Sequence, residues 1–177
     1  MDFFTVPTAT FRVLYVFFVI HHARRSVLHV RVTEHPTAGW IIQQLREPFA
    51  CDAVPRYLVI DNDKKYGTDV LAVIEYMGIL RKQITPYSPW QNGAAKRWVE
   101  TVRGDLLDHM IVLNERHLHR LLSEFVAYDH DDRTHLGLSK GTPSMRAANS
   151  KPNRDVQIVG HPRIGGLHHR YEWRQAA

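Results

Sequence analysis

Residues 86–93 read Pro86-Tyr87-Ser88-Pro89-Trp90-Gln91-Asn92-Gly93, and Ala94-Ala95-Lys96-Arg97 follows. Two prolines and an Asn-Gly pair predict a loop. From Ala94 onward Ala95, Val99, Val102, Leu106 and Met110 recur at helical spacing, predicting a long helix to about Met110. Upstream lie short elements of alternating type. Pro55 restarts the chain into an apolar strand, Tyr57–Ile60. Thr68 to Met77 reads as a helix stopped by Gly78, and Ile79–Thr85 as another strand.

The N-terminal third reads as strands. Asp2–Val6 is short and rich in Phe, Thr and Val. Phe11–His21 is a near-continuous β-branched and aromatic run, the pattern of a strand buried on both faces. Arg25–Thr33 alternates through Val27, Leu28, Val30 and Val32. The joints at 7–10 and 23–25 are short enough for hairpins. A helix then opens at Thr37, a good N-cap, with Trp40, Ile41, Leu45 and Phe49 at helical spacing. Another helix spans roughly Glu115 to Asp129. After Gly141-Thr142-Pro143 the chain turns polar and reads as a tail, partly ordered at best. Three strands, a helix, then strand–helix–strand–helix predict an α/β sandwich with a mixed sheet.

The 177 residues suffice for one domain with a core plus a tail, and 44% apolar content is ordinary for a globular chain. A net charge of +5 and a pI near 9.5 lean toward polyanionic partners, nucleic acid first. A single cysteine, Cys51, excludes an intramolecular disulfide and a cysteine-based zinc site. The longest apolar run, Phe11 to Ile20, is broken by Arg12 and falls far short of the roughly 20 residues that span a bilayer. With no signal-peptide layout after Met1, the expected setting is the cytoplasm.

Two acidic residues occupy strand positions of interest. Asp2 lies in the first strand, and Asp61 ends the Tyr57–Ile60 strand, followed by Asn62, Asp63, Lys64, Lys65, Tyr66 and Gly67. Singly, each reads best as a turn or cap aspartate. Together they are candidate ligands for a hard divalent cation, which wants carboxylate oxygens.

The stretches Asp2–Val6, Leu58–Asp63 with Tyr66-Gly67, and Tyr87–Gly93 resemble, in order and spacing, the catalytic core of bacterial insertion-sequence transposases of the retroviral-integrase superfamily. The Ser88–Gly93 loop with its following helix is the strongest match, and the resemblance covers about residues 2–145. It implies a ribonuclease-H-like fold with a five-stranded mixed sheet flanked by helices, a core domain over 1–145 and a tail over 146–177. It also implies two aspartates and a glutamate holding two Mg²⁺ or Mn²⁺ ions, and DNA as substrate. Asp2 matches the first aspartate. Asp61 matches the second, ahead of Asp63, because Tyr66 falls five residues on. The glutamate position, four residues after Asn92, is Lys96.

Lysine supplies no ligand oxygen and brings a positive charge beside the expected cations. It can instead pair with Asp2 or Asp61 and hold the site together. Glu100 lies one turn on, ~5.4 Å away along the axis, too far to ligate the same ion pair unless the helix slides. An exposed Lys96–Glu100 pair is the plainer reading. Family members begin upstream of this point with a helix-turn-helix region. From a start at Met1-Asp2 we expect a clipped first strand with Asp2 in a fraying end, and a degenerate copy.

Candidate DNA contacts are Lys64, Lys65, Lys96, Arg97 and Arg103, with Tyr87, Gln91 and Asn92 in the loop. Trp90 either stacks on a base or anchors the loop in the core. Twelve histidines, including His21-His22, His117, His119 and His168-His169, lack metalloprotease spacing and read as surface residues. Three functions stay open: an inactive strand-transfer domain, an active nuclease completed by Glu100, and a non-catalytic DNA-binding or oligomerising module that associates with itself or with an intact transposase.

Overall fold

The computed structural model describes residues 1–49, 54–61, 63, 65–86, 88–146, 151–152 and 155–175. The chain forms two compact units, Met1–His119 and Arg120–Ala177. Cys51, Lys64 and Tyr87 lie outside the described residues.

In the first unit β1 (Asp2–Pro7), β2 (Val13–His21) and β3 (Ser26–Thr33) form an antiparallel sheet in the order β1-β2-β3. β2 is buried on both faces, as its uninterrupted apolar run predicts. Strand alternation sends Phe17 and Val19 one way and Phe18 the other. Phe17 and Val19 join a cluster with Ile41 and Leu45 of α1 (Ala38–Arg46), Leu58 and Ile60 of β4 (Tyr57–Ile60), and Val70 and Ile74 of α2 (Thr68–Tyr76). Phe18 meets Trp98 of α3 (Gly93–Asp105) at 4.4 Å, and Phe4 lies 5.9 Å from the same indole. Burying each such ring is worth about 1.5–3 kcal/mol, so both faces of β2 hold helices on the sheet.

Local signals account for the helix ends. Thr37 caps α1, its hydroxyl accepting from the Trp40 amide at 3.3 Å. α2 stops at Gly78, whose φ of +74° an L side chain rarely adopts. α4 (Glu115–Asp131) opens on Asn114, whose Oδ1 accepts the His117 amide at 2.9 Å.

Four expectations need correction. The sheet is not one continuous five-stranded sheet. β4 and β5 (Leu80–Gln83) form a separate parallel pair. β1 reaches β4 through the Met1 amine, which donates to the Val59 carbonyl at 2.9 Å. Every residue of β5 is exposed, so burial does little to extend its pairing. Second, Asp2 is not in a fraying end. Met1 is 1% exposed, and burial lowers the pKa of its amine to about 6. Third, the Asn-Gly pair makes no loop turn. Pro89–Asn92 is a single 3-10 turn, and Gly93, at φ −59°, is the first residue of α3. Fourth, the buried stripe of α3 runs Ala95, Trp98 and Val102, continuing to Leu106. Val99 lies half-buried beside it, and α3 ends at Asp105, short of Met110.

The second unit holds most of α4 and an antiparallel hairpin, β6 (Val156–Arg163) with β7 (His168–Gln175), where the sequence shows only a polar tail. His168 stacks on Tyr128 of α4 at 4.5 Å and 8°, and Arg163 Nε donates to Asp132 Oδ2 at 2.7 Å.

Candidate functional site

Strand alternation decides where the acidic residues point. Asp2 pairs across the ladder with Phe18 and shares the face of Phe4, the face that α3 covers. In β4, Leu58 and Ile60 belong to the opposite core, and Asp61 follows directly on the end of the strand. The two carboxylates and Lys96 are thereby within electrostatic reach. The pKa of Asp2 is raised chiefly by burial and further by the Asp61 charge. The Phe3 amide, the Met1 amine and Lys96 pull in the opposite direction.

Both Asp2 oxygens are engaged. Oδ1 accepts the Phe3 amide at 2.8 Å, and Oδ2 accepts from Asn92 Nδ2 at 3.2 Å. Asn92 is fully buried, and its Oδ1 makes no hydrogen bond. Tyr66 lies beneath the cluster with a buried hydroxyl lacking a partner. Burial first, and then the charges of Asp2, Asp63 and Asp61, push its pKa well above the ordinary phenol value. Asp63 closes a turn instead: Oδ1 accepts the Lys65 amide at 2.9 Å, and Oδ2 pairs with Lys65 Nζ at 2.6 Å.

The residues singled out as DNA contacts divide in two. Lys65 is tied to Asp63 and lies over the rings of Phe3 and Tyr15, at 5.8 and 5.5 Å. Gln91 staples the loop to Thr85, accepting its amide at 2.7 Å and donating to its hydroxyl at 3.3 Å. Asn92 holds Asp2. Arg103 donates to the Thr5 carbonyl at 3.2 Å and covers Phe4. These four have intramolecular work. Lys96 and Arg97 are exposed on the first turn of α3, as is Glu100 one turn further. Trp90 is 73% exposed, so the core-anchor reading fails; Trp98 fills that place. Sequence reasoning missed Tyr66 and Trp98 as structural members of the site. Tyr66 had served only to choose between aspartates, and Trp98 lay one residue outside the chosen stripe.

The donor set does not fit a pair of divalent cations. No group of three His, Cys, Asp or Glu side chains able to hold a metal occurs among the described residues. The cation beside the two carboxylates is the Lys96 ammonium, which supplies no ligand oxygen, and Asp2 already accepts two hydrogen bonds.

No protein-family model matches the chain, and no curated protein does. Solved structures do. A chain of the simian T-cell lymphotropic virus intasome, solved with a PP2A regulatory subunit, matches with a TM-score of 0.65 at 16% identity over 98% of this chain. This chain spans 64% of that chain's length. The catalytic core domain of BIV integrase matches with a TM-score of 0.57 at 17% identity, covering 80% of this chain and 88% of that one. The fold is therefore the mixed α/β, ribonuclease-H-like fold of retroviral integrase cores. No described helix is long and apolar enough to cross a membrane.

Proposed function

We propose that residues 1–145 are the catalytic core of a DNA transposase of the bacterial insertion-sequence type, with 146–177 as an appended tail, and that this copy has lost strand cleavage and transfer. The observation that carries the reading is the convergence of Asp2, Asp61 and Lys96: an integrase-type fold supplies two carboxylates from neighbouring strands, and the third comes as a lysine. In such enzymes one Mg²⁺ or Mn²⁺ ion activates the attacking oxygen and another stabilises the leaving one. Here the lysine offsets part of the acidic charge and ligates nothing, so no step is assigned to a metal. The remaining function is contact with DNA, or with further copies of the chain or an intact transposase, in the cytoplasm. Exposed Lys96, Arg97 and Trp90 border the site and support this. Such binding is weak, indifferent to sequence and sensitive to salt, because phosphate neutralisation drives it.

Nicking of supercoiled plasmid with Mg²⁺ or Mn²⁺ tests the reading. The unmodified chain is expected to leave plasmid intact, and Lys96→Glu to nick it unless Asp61→Asn is added. If the unmodified chain nicks as fast as Lys96→Glu and Asp61→Asn abolishes both, the site works without the glutamate and Glu100→Gln is the next variant.

A further inference from the structure

The β6–β7 hairpin presents one face to α4 and leaves the other open. Its register pairs Ile158 with Trp173, Gly160 with Tyr171 and Pro162 with His169, and alternation puts all six on the open face. Tyr171 is 65% exposed and Ile158 61%. Gly160 explains how the rings lie. A Cβ there would sit 3.3 Å from Tyr171 Cε1 and 3.5 Å from His169 Cδ2, so both rings lean across the space its missing side chain leaves. The two rings are near parallel, 29° apart with centroids at 6.1 Å. Trp173 continues the row, with Lys151 Nζ 5.9 Å from its ring centre.

Charge selects among occupants. Among the described residues no carboxylate stands on this face: Glu172 is on the other side, paired with Arg170 at 2.5 Å. Lys151 flanks the row, its ammonium over Trp173. The second unit as a whole has nine Lys and Arg against six Asp and Glu, a net +3. A second copy docking face to face would bring two Lys151 ammoniums and two net-positive units together, whereas a polyanion with flat bases satisfies cation and rings alike. Ring-bearing positions two residues apart on a strand are spaced about 6.8 Å, twice the ~3.4 Å rise of stacked bases. That spacing suits an unstacked strand and not a duplex, whose bases are paired inside.

We propose that the open face of the β6–β7 hairpin, with His169, Tyr171 and Trp173 as its platform, binds single-stranded nucleic acid by base stacking. The platform belongs to the second unit and the Asp2–Asp61 cluster to the first, and binding does not depend on any cleavage there.

The test uses the full chain and a labelled oligothymidylate, with the matching oligouridylate and a duplex as further arms, read by fluorescence anisotropy. Stacking on one ring is worth roughly 1–3 kcal/mol, so Tyr171→Ala is expected to weaken single-strand binding about tenfold. Tyr171→Phe keeps the ring and is expected to stay within about twofold. Gly160→Val, which displaces both rings without removing either, is expected to weaken binding as Tyr171→Ala does, at unchanged circular dichroism. DNA and RNA strands are expected to bind alike, and duplex more weakly than either. Equal binding by the unmodified chain and Tyr171→Ala overturns the proposal, as does equal loss in Tyr171→Phe and Tyr171→Ala. So does a dimer in sedimentation that Tyr171→Ala dissolves while oligonucleotide affinity holds, since the face then joins copies of the chain. None of these outcomes alters the plasmid test, because no substitution touches β1, β4 or α3.

Discussion

Two acidic clusters, one in each unit, contrast sharply. Around Asp132, one carboxylate faces three arginines: Arg163 Nε at 2.7 Å, Arg170 Nε at 3.5 Å and Arg146 Nη1 at 3.7 Å. Around Asp2, two carboxylates share one lysine, and the Tyr66 hydroxyl below has no partner. The first cluster has more cation than anion and binds the hairpin to the end of α4. The second has anion in excess, and Asp2 holds its proton more tightly than an ordinary carboxyl because of burial and Asp61. The Asp132 clamp neutralises its buried charge within the protein; the Asp2 cluster leaves some of its charge unneutralised.

The contrast is sharpest under like-for-like substitution of aspartate by its neutral isostere. Asp132→Asn leaves three guanidinium groups facing one another around a 3% exposed side chain. We expect a loss of about 3 kcal/mol in urea denaturation, the low end for breaking a buried pair because the arginines reach solvent. A loss under ~1 kcal/mol, the level of a surface ion pair, would mean that Asp132 is no clamp.

Asn92→Ala comes next. It removes a fully buried amide that bonds Asp2 and ties the loop to β1. The expected cost is about 2 kcal/mol, measured in the same way. An unchanged midpoint would show that the loop is held by Gln91 and Thr85 alone.

Asp2→Asn should act in the opposite direction to Asp132→Asn. Because the native pKa of Asp2 is raised, the folded state binds its proton more tightly than the unfolded chain does. The resulting penalty sets in as pH rises above 3.8 and is complete above the native value. Asparagine cannot ionise, and a flip of Asn92 would bring its unpartnered Oδ1 to the new amide. Melting temperature is expected to rise slightly relative to the unmodified chain at neutral pH, with the difference fading in acid. A fall at neutral pH would place Asp2 among the clamps.

Much of this was legible in the sequence, for identifiable reasons. β2 declared itself by an unbroken apolar run, α1 by Thr37, and the end of α2 by Gly78. The spacings from Asp61 to Tyr66 and from Asn92 to Lys96 singled out residues that the fold brings near Asp2. What escaped depends on contacts distant in sequence. Trp98 is buried because it packs onto Phe4 and Phe18 of the sheet, whereas helical periodicity alone placed the buried position one residue away, at Val99. The hairpin was hidden because Gly160, Pro162, Gly165 and Gly166 read as breakers. Its inner face is polar because it meets Asp132 rather than an apolar core. Lys65, Gln91, Asn92 and Arg103 looked available to DNA because a sequence does not show which polar side chains bond the protein itself.

Lys96→Glu is the smallest perturbation of the fold and the most direct test of the claim that a lysine stands where a ligand belongs. Melting temperature is to be measured with and without Mg²⁺ or Mn²⁺ for the unmodified chain, Lys96→Glu, and Lys96→Glu with Asp61→Asn. Ligand binding to the native state alone raises stability. The unmodified chain is expected to be indifferent to the ions. Lys96→Glu is expected to melt lower without them, since a third carboxylate joins two others, and to recover when they are added. Asp61→Asn should cancel that recovery. An ion-dependent rise in the unmodified chain as large as that of Lys96→Glu, and likewise cancelled by Asp61→Asn, would contradict the account.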